Sequence, residues 1–387
     1  MNFNLSDDHL AIRSAIEVLC ADFDEDYWLE KDRSGGFPTD FHARLAEAGW
    51  LGVAMPTEYG GAGLGIAEAA IIMETITASG AGLTGASAVH FNIFGAHPVV
   101  VFGNNEQKAR LLPPLISGEH KTCFAVTEPN TGLNTLSLKT TAVRRGDRYV
   151  VNGQKIWIST AQIANKIMLL ARTSEQSVDR PRHGLSLFYT DFDRLRIEVH
   201  EIEKLGRKAV DSNQLFIDGL EIPVEDLIGE EGRGFDYILH SLNPERVLVA
   251  AEAVGLGKVA LRHAAKYAGE RVVFGRQIGQ NQGIQHPLAK AWVDLEAATL
   301  LYQKAAFLYD EGKPCGAEAN AAKYFASEAG FRSCEGAVIT LGGMGYAKEY
   351  HVERYFREAM LPRLAPVSSH MVLNFIAEKV LGLPKSY

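Results

Sequence analysis

The spacing of apolar and polar positions changes period twice along this chain. Up to about residue 121 the period is helical. Leu10, Ile12, Ile16 and Leu19 follow Ser6, a capping residue type, with Asp7 and Asp8 in the first turn. Ile66–Ile76 and Asn105–Ile116 carry the same period and are joined by Gly-rich turns. The middle of the chain alternates instead. Thr141–Val143, Arg148–Val151, Lys155–Ile158, Lys166–Leu170, Leu185–Tyr189, Leu195–His200 and Gln214–Leu220 are short β-rich runs, and Thr173–His183 reads as a polar surface loop. Asn152-Gly153, between two of these runs, predicts a tight hairpin turn. From Gly232 the helical period returns in long Ala-rich stretches, Glu245–Glu270, His286–Tyr309, Ala317–Gly342 and His351–Leu381. The order predicts an α+β, mostly helical protein: an N-terminal helical domain over 1–121, a middle antiparallel β-barrel domain over 122–231 and a C-terminal four-helix bundle over 232–387.

Composition narrows the class. At 387 residues, 47% hydrophobic and 22% charged, the chain can bury a large core and is not disordered. The most apolar stretch, Gly85–Gly103, is interrupted by His90, Asn92 and His97, so no membrane span is expected. Met1–Asp8 has neither the basic lead nor the apolar core of a secretory signal. Cys20, Cys123, Cys315 and Cys334 are scattered and read as reduced, mostly buried thiols, so the expected compartment is the cytoplasm. A net charge of −8 argues against a nucleic-acid partner. The part from Gly232 onward is slightly basic, a weak sign of affinity for a phosphate-bearing small molecule.

Some patterns imitate function. Gly61-Ala62-Gly63-Leu64-Gly65 and Gly255-Leu256-Gly257 look like fragments of a nucleotide loop. Neither closes a strand and opens a helix, so both read as turn or helix-packing glycines. No metal-binding histidine spacing and no GxSxG elbow is present, which leaves a metalloenzyme or serine hydrolase without support.

Four segments carry more. They are Cys123–Gly132, Asn152–Ser159, Glu270–Arg276 followed by Gln282, and Gly342-Gly343-Met344-Gly345-Tyr346 followed by Glu349, Arg354 and Glu358. In this order, across helical, β and helical zones, the chain resembles the acyl-CoA dehydrogenase family over essentially its whole length. The resemblance implies a homotetramer with FAD held between the β domain and the C-terminal bundle. Phe124, Val126, Thr127, Trp157 and Ser159 then surround the isoalloxazine ring, whose polar rim must be hydrogen-bonded when buried. Arg271 would reach the FAD pyrophosphate of a neighbouring subunit, with Phe274 and Gln282 beside it. Gly342, Gly343 and Gly345 would admit the dinucleotide close to the backbone, and Ser368 is a further cofactor contact. Trp157 taken alone reads as hairpin core packing.

The chain also departs from the family. Leu133-Asn134 replaces a serine-aspartate pair, Phe124 has no hydroxyl, Ile339 replaces a glutamine, and Pro366 stands where many members carry the catalytic glutamate. Proline cannot take a proton. Some members place the base at the position of Glu245, and the resemblance therefore implies Glu245 as base, with His370 as a rival. Asn243-Pro244-Glu245 also reads as a helix start, in which Glu245 merely favours the first turn. Asn243 and Arg246 match positions that contact the CoA side. The implied reaction is α,β-dehydrogenation of an acyl-CoA to the trans-2-enoyl-CoA in fatty acid β-oxidation, with electrons passed to an electron-transfer flavoprotein. The alternatives are an acyl-CoA oxidase, or a flavin- or acyl-CoA-binding member of the fold without dehydrogenase activity. The oxidase reading would call for a long C-terminal extension that is not seen here.

Overall fold

The structure, a computed structural model, describes residues 5–177 and 179–386. Half of the opening octapeptide, Met1–Asn4, lies outside them. The first part is helical: α1 (Asp7–Cys20), α2 (Glu25–Ser34), α3 (Thr39–Glu47), α4 (Ile66–Ile76), α5 (Gly82–Ile93), α6 (His97–Phe102) and α7 (Asn105–Ile116). Ser6 caps α1 as expected, its Oγ accepting from His9 N at 3.2 Å. A π-helical turn at Thr77–Ala81 joins α4 to α5. The run Ile66–Phe102 is long and apolar enough to cross a bilayer, but 78% of its most apolar window is buried inside the protein.

The strands are β1 (Thr122–Ala125), β2 (Thr141–Arg145), β3 (Arg148–Ser159), β4 (Lys166–Arg172), β5 (Leu185–Asp191), β6 (Ile197–Glu201), β7 (Ser212–Pro223) and β8 (Leu227–Ile228). They form one sheet in the order β6-β7-β3-β2-β4-β5-β8, with β1 parallel to β4. The expected barrel is not formed. β6 and β8 are separate edges, and the sheet stays open because its second face is covered rather than curled onto itself. On β4, Ile167, Leu169 and Ala171 enter one core, while Met168 and Leu170 pack with Leu111, Leu112 and Leu115 of α7. That two-sided burial explains the unbroken apolar run of β4.

Asn152-Gly153 does not turn either. β3 passes straight through it with a bulge against β7, and the turn falls at Gly146-Asp147, flanked by the Arg145–Arg148 pair. Gly146 has φ +66°. Asn152 Oδ1 accepts from Gly219 N at 2.8 Å, and a Cβ on Gly153 would collide with Thr140. The dipeptide serves close strand approach.

The chain then forms α8 (Gly234–Glu270), a hairpin of β9 (Val272–Val273) and β10 (Arg276–Gln277), and the long helices α9 (Gln282–Asp310) and α10 (Gly316–Leu341). The expected fourth long helix is instead three short ones, α11 (Val352–Glu358), α12 (Leu361–Leu364) and α13 (Ser369–Phe375). Pro362 and Pro366 interrupt that stretch. α4, α8, α9 and α10 share the largest core. Gly255 lets α8 touch α4, since a Cβ there would strike Thr77 and the Glu74 carbonyl, and Gly257 faces Gly330 of α10. The Gly61–Gly65 segment leads into α4, whose first amides, Ile66 and Ala67, already donate to the Asp310 carboxylate at 2.8 and 2.9 Å. Both glycine clusters are packing devices.

Candidate active site

α8 starts earlier than the Asn-Pro-Glu signal indicates. Burial of Tyr237, Ile238 and Ser241 carries the helix through Pro244, and Glu245 lies roughly three turns inside it. Glu245 is therefore not a first-turn residue, and the helix-terminus account of it falls away. Its side chain is 11% exposed and faces α5. Glu245 Oε2 lies 2.6 Å from His90 Nε2, and His90 Nδ1 lies 2.6 Å from Oε1 of Glu252, two turns further along α8. Burial alone would discharge the imidazole; the two carboxylates outweigh it and hold its pKa well above the ordinary histidine value. Glu245 Oε1 takes no hydrogen bond among the described residues.

One rim of this seam is cationic. Arg246 Nη1 donates to Asn243 Oδ1 at 3.1 Å, while its buried Nε has no partner among the described residues. Burial lowers the Arg246 pKa to about 10 against the pull of Glu245. Lys323, drawn down to about 8 by burial and next by Arg246, donates to the Val367 carbonyl at 2.6 Å. This brings the Ala365–Ser368 loop, with Pro366, to the same rim. Ser368 caps α13, accepting from Met371 N at 3.4 Å, and His370 beyond it is exposed.

The other side is the end of β1. Phe124 packs at a tilt against Phe94 with ring centres 5.2 Å apart, and Phe94 lies 5.7 Å from the His90 ring. Val126 and Thr127 follow, half-buried. Lys155 reaches through the sheet to the Val126 carbonyl and to Glu128, both at 3.0 Å. A bulge in β3 gives Trp157 a φ of +63° and leaves it 57% exposed, so it is not core packing, whereas Ser159 is buried.

Three family models describe nearly all of the chain: acyl-CoA dehydrogenase N-terminal domain over 6–119, middle domain over 123–220 and C-terminal domain over 232–381. An acyl-CoA dehydrogenase of Mycobacterium tuberculosis, FadE12, is 37% identical over 100% of this chain and 99% of its own length. The chain belongs to the acyl-CoA dehydrogenase family. A glutaryl-CoA dehydrogenase of Desulfococcus multivorans is 33% identical over the full length of both. The structure of a glutaryl-coenzyme A dehydrogenase in complex with glutaryl-CoA superposes with a TM-score of 0.94 at 32% identity, covering 100% of this chain and 98% of that one.

An acyl-CoA dehydrogenase needs room for FAD beside its base, and the residues here fit it. The hydroxyls of Thr131 and Thr160 are buried without partners among the described residues, next to Val126, Thr127 and Ser159 in sequence. A Cβ on Gly342 or Gly343 would meet nothing within 4 Å. Gly345 is different: it is buried against the Val338 carbonyl and serves packing, not cofactor approach. Arg271, Phe274 and Gln282 are exposed at the far end of α8, about 39 Å of helix from Glu245. The structure does not bring them together with Trp157 and Ser159 within one chain. Sequence reasoning missed His90 and Glu252. The signal was present, because a histidine inside an apolar helix needs a buried partner.

Proposed function

We propose that this acyl-CoA dehydrogenase converts an acyl-CoA to the trans-2-enoyl-CoA, with Glu245 as the base. The observation that carries the reading is the buried Glu245 carboxylate, gripped through Oε2 and unengaged at Oε1. The α C–H bond breaks to Glu245, and its electron pair forms the new double bond as the β hydrogen leaves with its own pair. FAD, when bound, supplies the acceptor for that hydride at N5. Arg246 and Asn243 hold the CoA side, and the unpaired Arg246 Nε is a donor awaiting a substrate oxygen. Phe124, Val126, Thr127, Trp157, Ser159 and Ser368 enclose FAD, with Gly342 and Gly343 giving it backbone access. Arg271, Phe274 and Gln282 complete the site of a neighbouring copy in a homotetramer. The same reading takes 1–121, 122–231 and 232–387 as the three domains, places the enzyme in cytoplasmic fatty acid β-oxidation, and gives its electrons to an electron-transfer flavoprotein.

Anaerobic flavin bleaching by straight and branched acyl-CoAs tests this. Wild type bleaches with at least one thioester, and Glu245→Gln binds the same thioester with flavin absorbance retained. Normal bleaching by Glu245→Gln would remove Glu245 from the reaction. Rapid oxygen uptake by the reduced enzyme would favour an oxidase.

A further inference from the structure

Resting on the reading of Glu245 as base, we propose that His90 is its positioning residue: a histidine strung between Glu245 and Glu252 that fixes the base and sets the pH at which it works. The geometry is a straight relay of contacts. Both ring nitrogens are used, each at 2.6 Å, and each carboxylate comes from the same face of α8. His90, Glu245 and Glu252 are all buried, at 6%, 8% and 5% exposure. A neutral imidazole has one N–H and could donate to only one carboxylate, leaving a lone pair against the other. With both carboxylates ionised, the arrangement is satisfied when both nitrogens carry protons.

The charge balance follows. Two carboxylates around one imidazolium leave a net charge of −1, which one substrate proton brings to zero. The cation also orients the base, since a bond to Oε2 turns Oε1 outward. The other groups acting on the cluster are few. Arg207, which donates to Ser87 at 2.6 Å one turn before His90 on α5, acts on Glu252, and Arg246 acts on Glu245. Phe91 and Phe94 pack beside the ring, with centres 5.8 and 5.7 Å from it. Glu252 is thus an anchor with no reacting role, held on the ring nitrogen opposite the one that meets Glu245.

The test is the pH dependence of kcat/KM in the FAD-loaded enzyme, with a soluble dye as acceptor and whichever of butyryl-, isovaleryl-, octanoyl- or palmitoyl-CoA bleaches wild type best. His90→Gln removes the cation, so the acidic limb moves up by about 1 pH unit or more. Below the limb each unit is about a tenfold loss of kcat/KM. Glu252→Gln removes a neighbouring negative charge while His90 stays, so the acidic limb moves down. Opposite shifts are the expected signature, and a merely structural role does not produce them. If His90→Gln fails to hold FAD, Glu252→Gln decides alone: a limb unchanged or raised overturns the proposal. If Glu245→Gln still bleaches, the base assignment itself has failed. If Glu245→Gln is silent and the other two variants keep the wild-type limb, only the role of His90 has failed.

Discussion

Lys155 is fully buried in the middle sheet, and its ammonium is divided between Glu128 and the Val126 carbonyl. Burial pulls its pKa down to about 8 even with Glu128 opposing. Burial would raise the Glu128 pKa, but Lys155 and the amides of Lys139 and Thr140 reverse that and lower it. Removing the cation leaves an under-compensated carboxylate, so Lys155→Met should cost about 3 kcal/mol of stability. It should also lower flavin content, since the loop carrying Val126 and Thr127 loses its tether. Urea unfolding and flavin absorbance per mole of protein check the two effects. Lys155 and its partners Glu128 and Val126 lie in two separate motifs legible in the sequence, but their pairing across the sheet is not written in either. Glu245 stands out in the sequence by its place in a pattern and by Pro366 at the rival position. His90 escaped because its meaning depends on two side chains more than 150 positions away, which no local spacing records.

At the scale of elements, local chemistry was legible where one segment decides its own conformation. The Ser6 cap of α1 and the helical runs of α4 and α7 are of this kind. Legibility failed where packing overrides a local signal. Asn152-Gly153 has the chemistry of a turn, but β3 is paired with β7 on both sides of it and stays extended. Asn243-Pro244 has the chemistry of a helix start, but apolar contacts upstream extend α8 through it. The same priority of packing predicts that Gly255→Ala is destabilising despite the higher helix propensity of alanine. The methyl would meet the Glu74 carbonyl and Thr77, pushing α4 from α8 at a cost of about 1–3 kcal/mol. A lower denaturant midpoint with unchanged helical circular dichroism is the expected result.

At the scale of the molecule, α8 holds Glu245 three turns from its start and ends at Arg271, about 39 Å further along. The hairpin after it carries Phe274 fully exposed, with Val272 55% exposed. If the cofactor site takes its base from one copy and its arginine from the next, two defects can be carried by different chains. Glu245→Gln and Arg271→Ala, each inactive alone, should complement when co-expressed at equal levels. In a symmetric exchanged pair of the two variants, one site receives both lesions and the other receives neither. Random pairing therefore restores about a quarter of wild-type activity. Co-purification with two different affinity tags isolates the mixed assemblies, in which the figure rises to about half. An inheritance test on two null alleles would thus read the length of one helix.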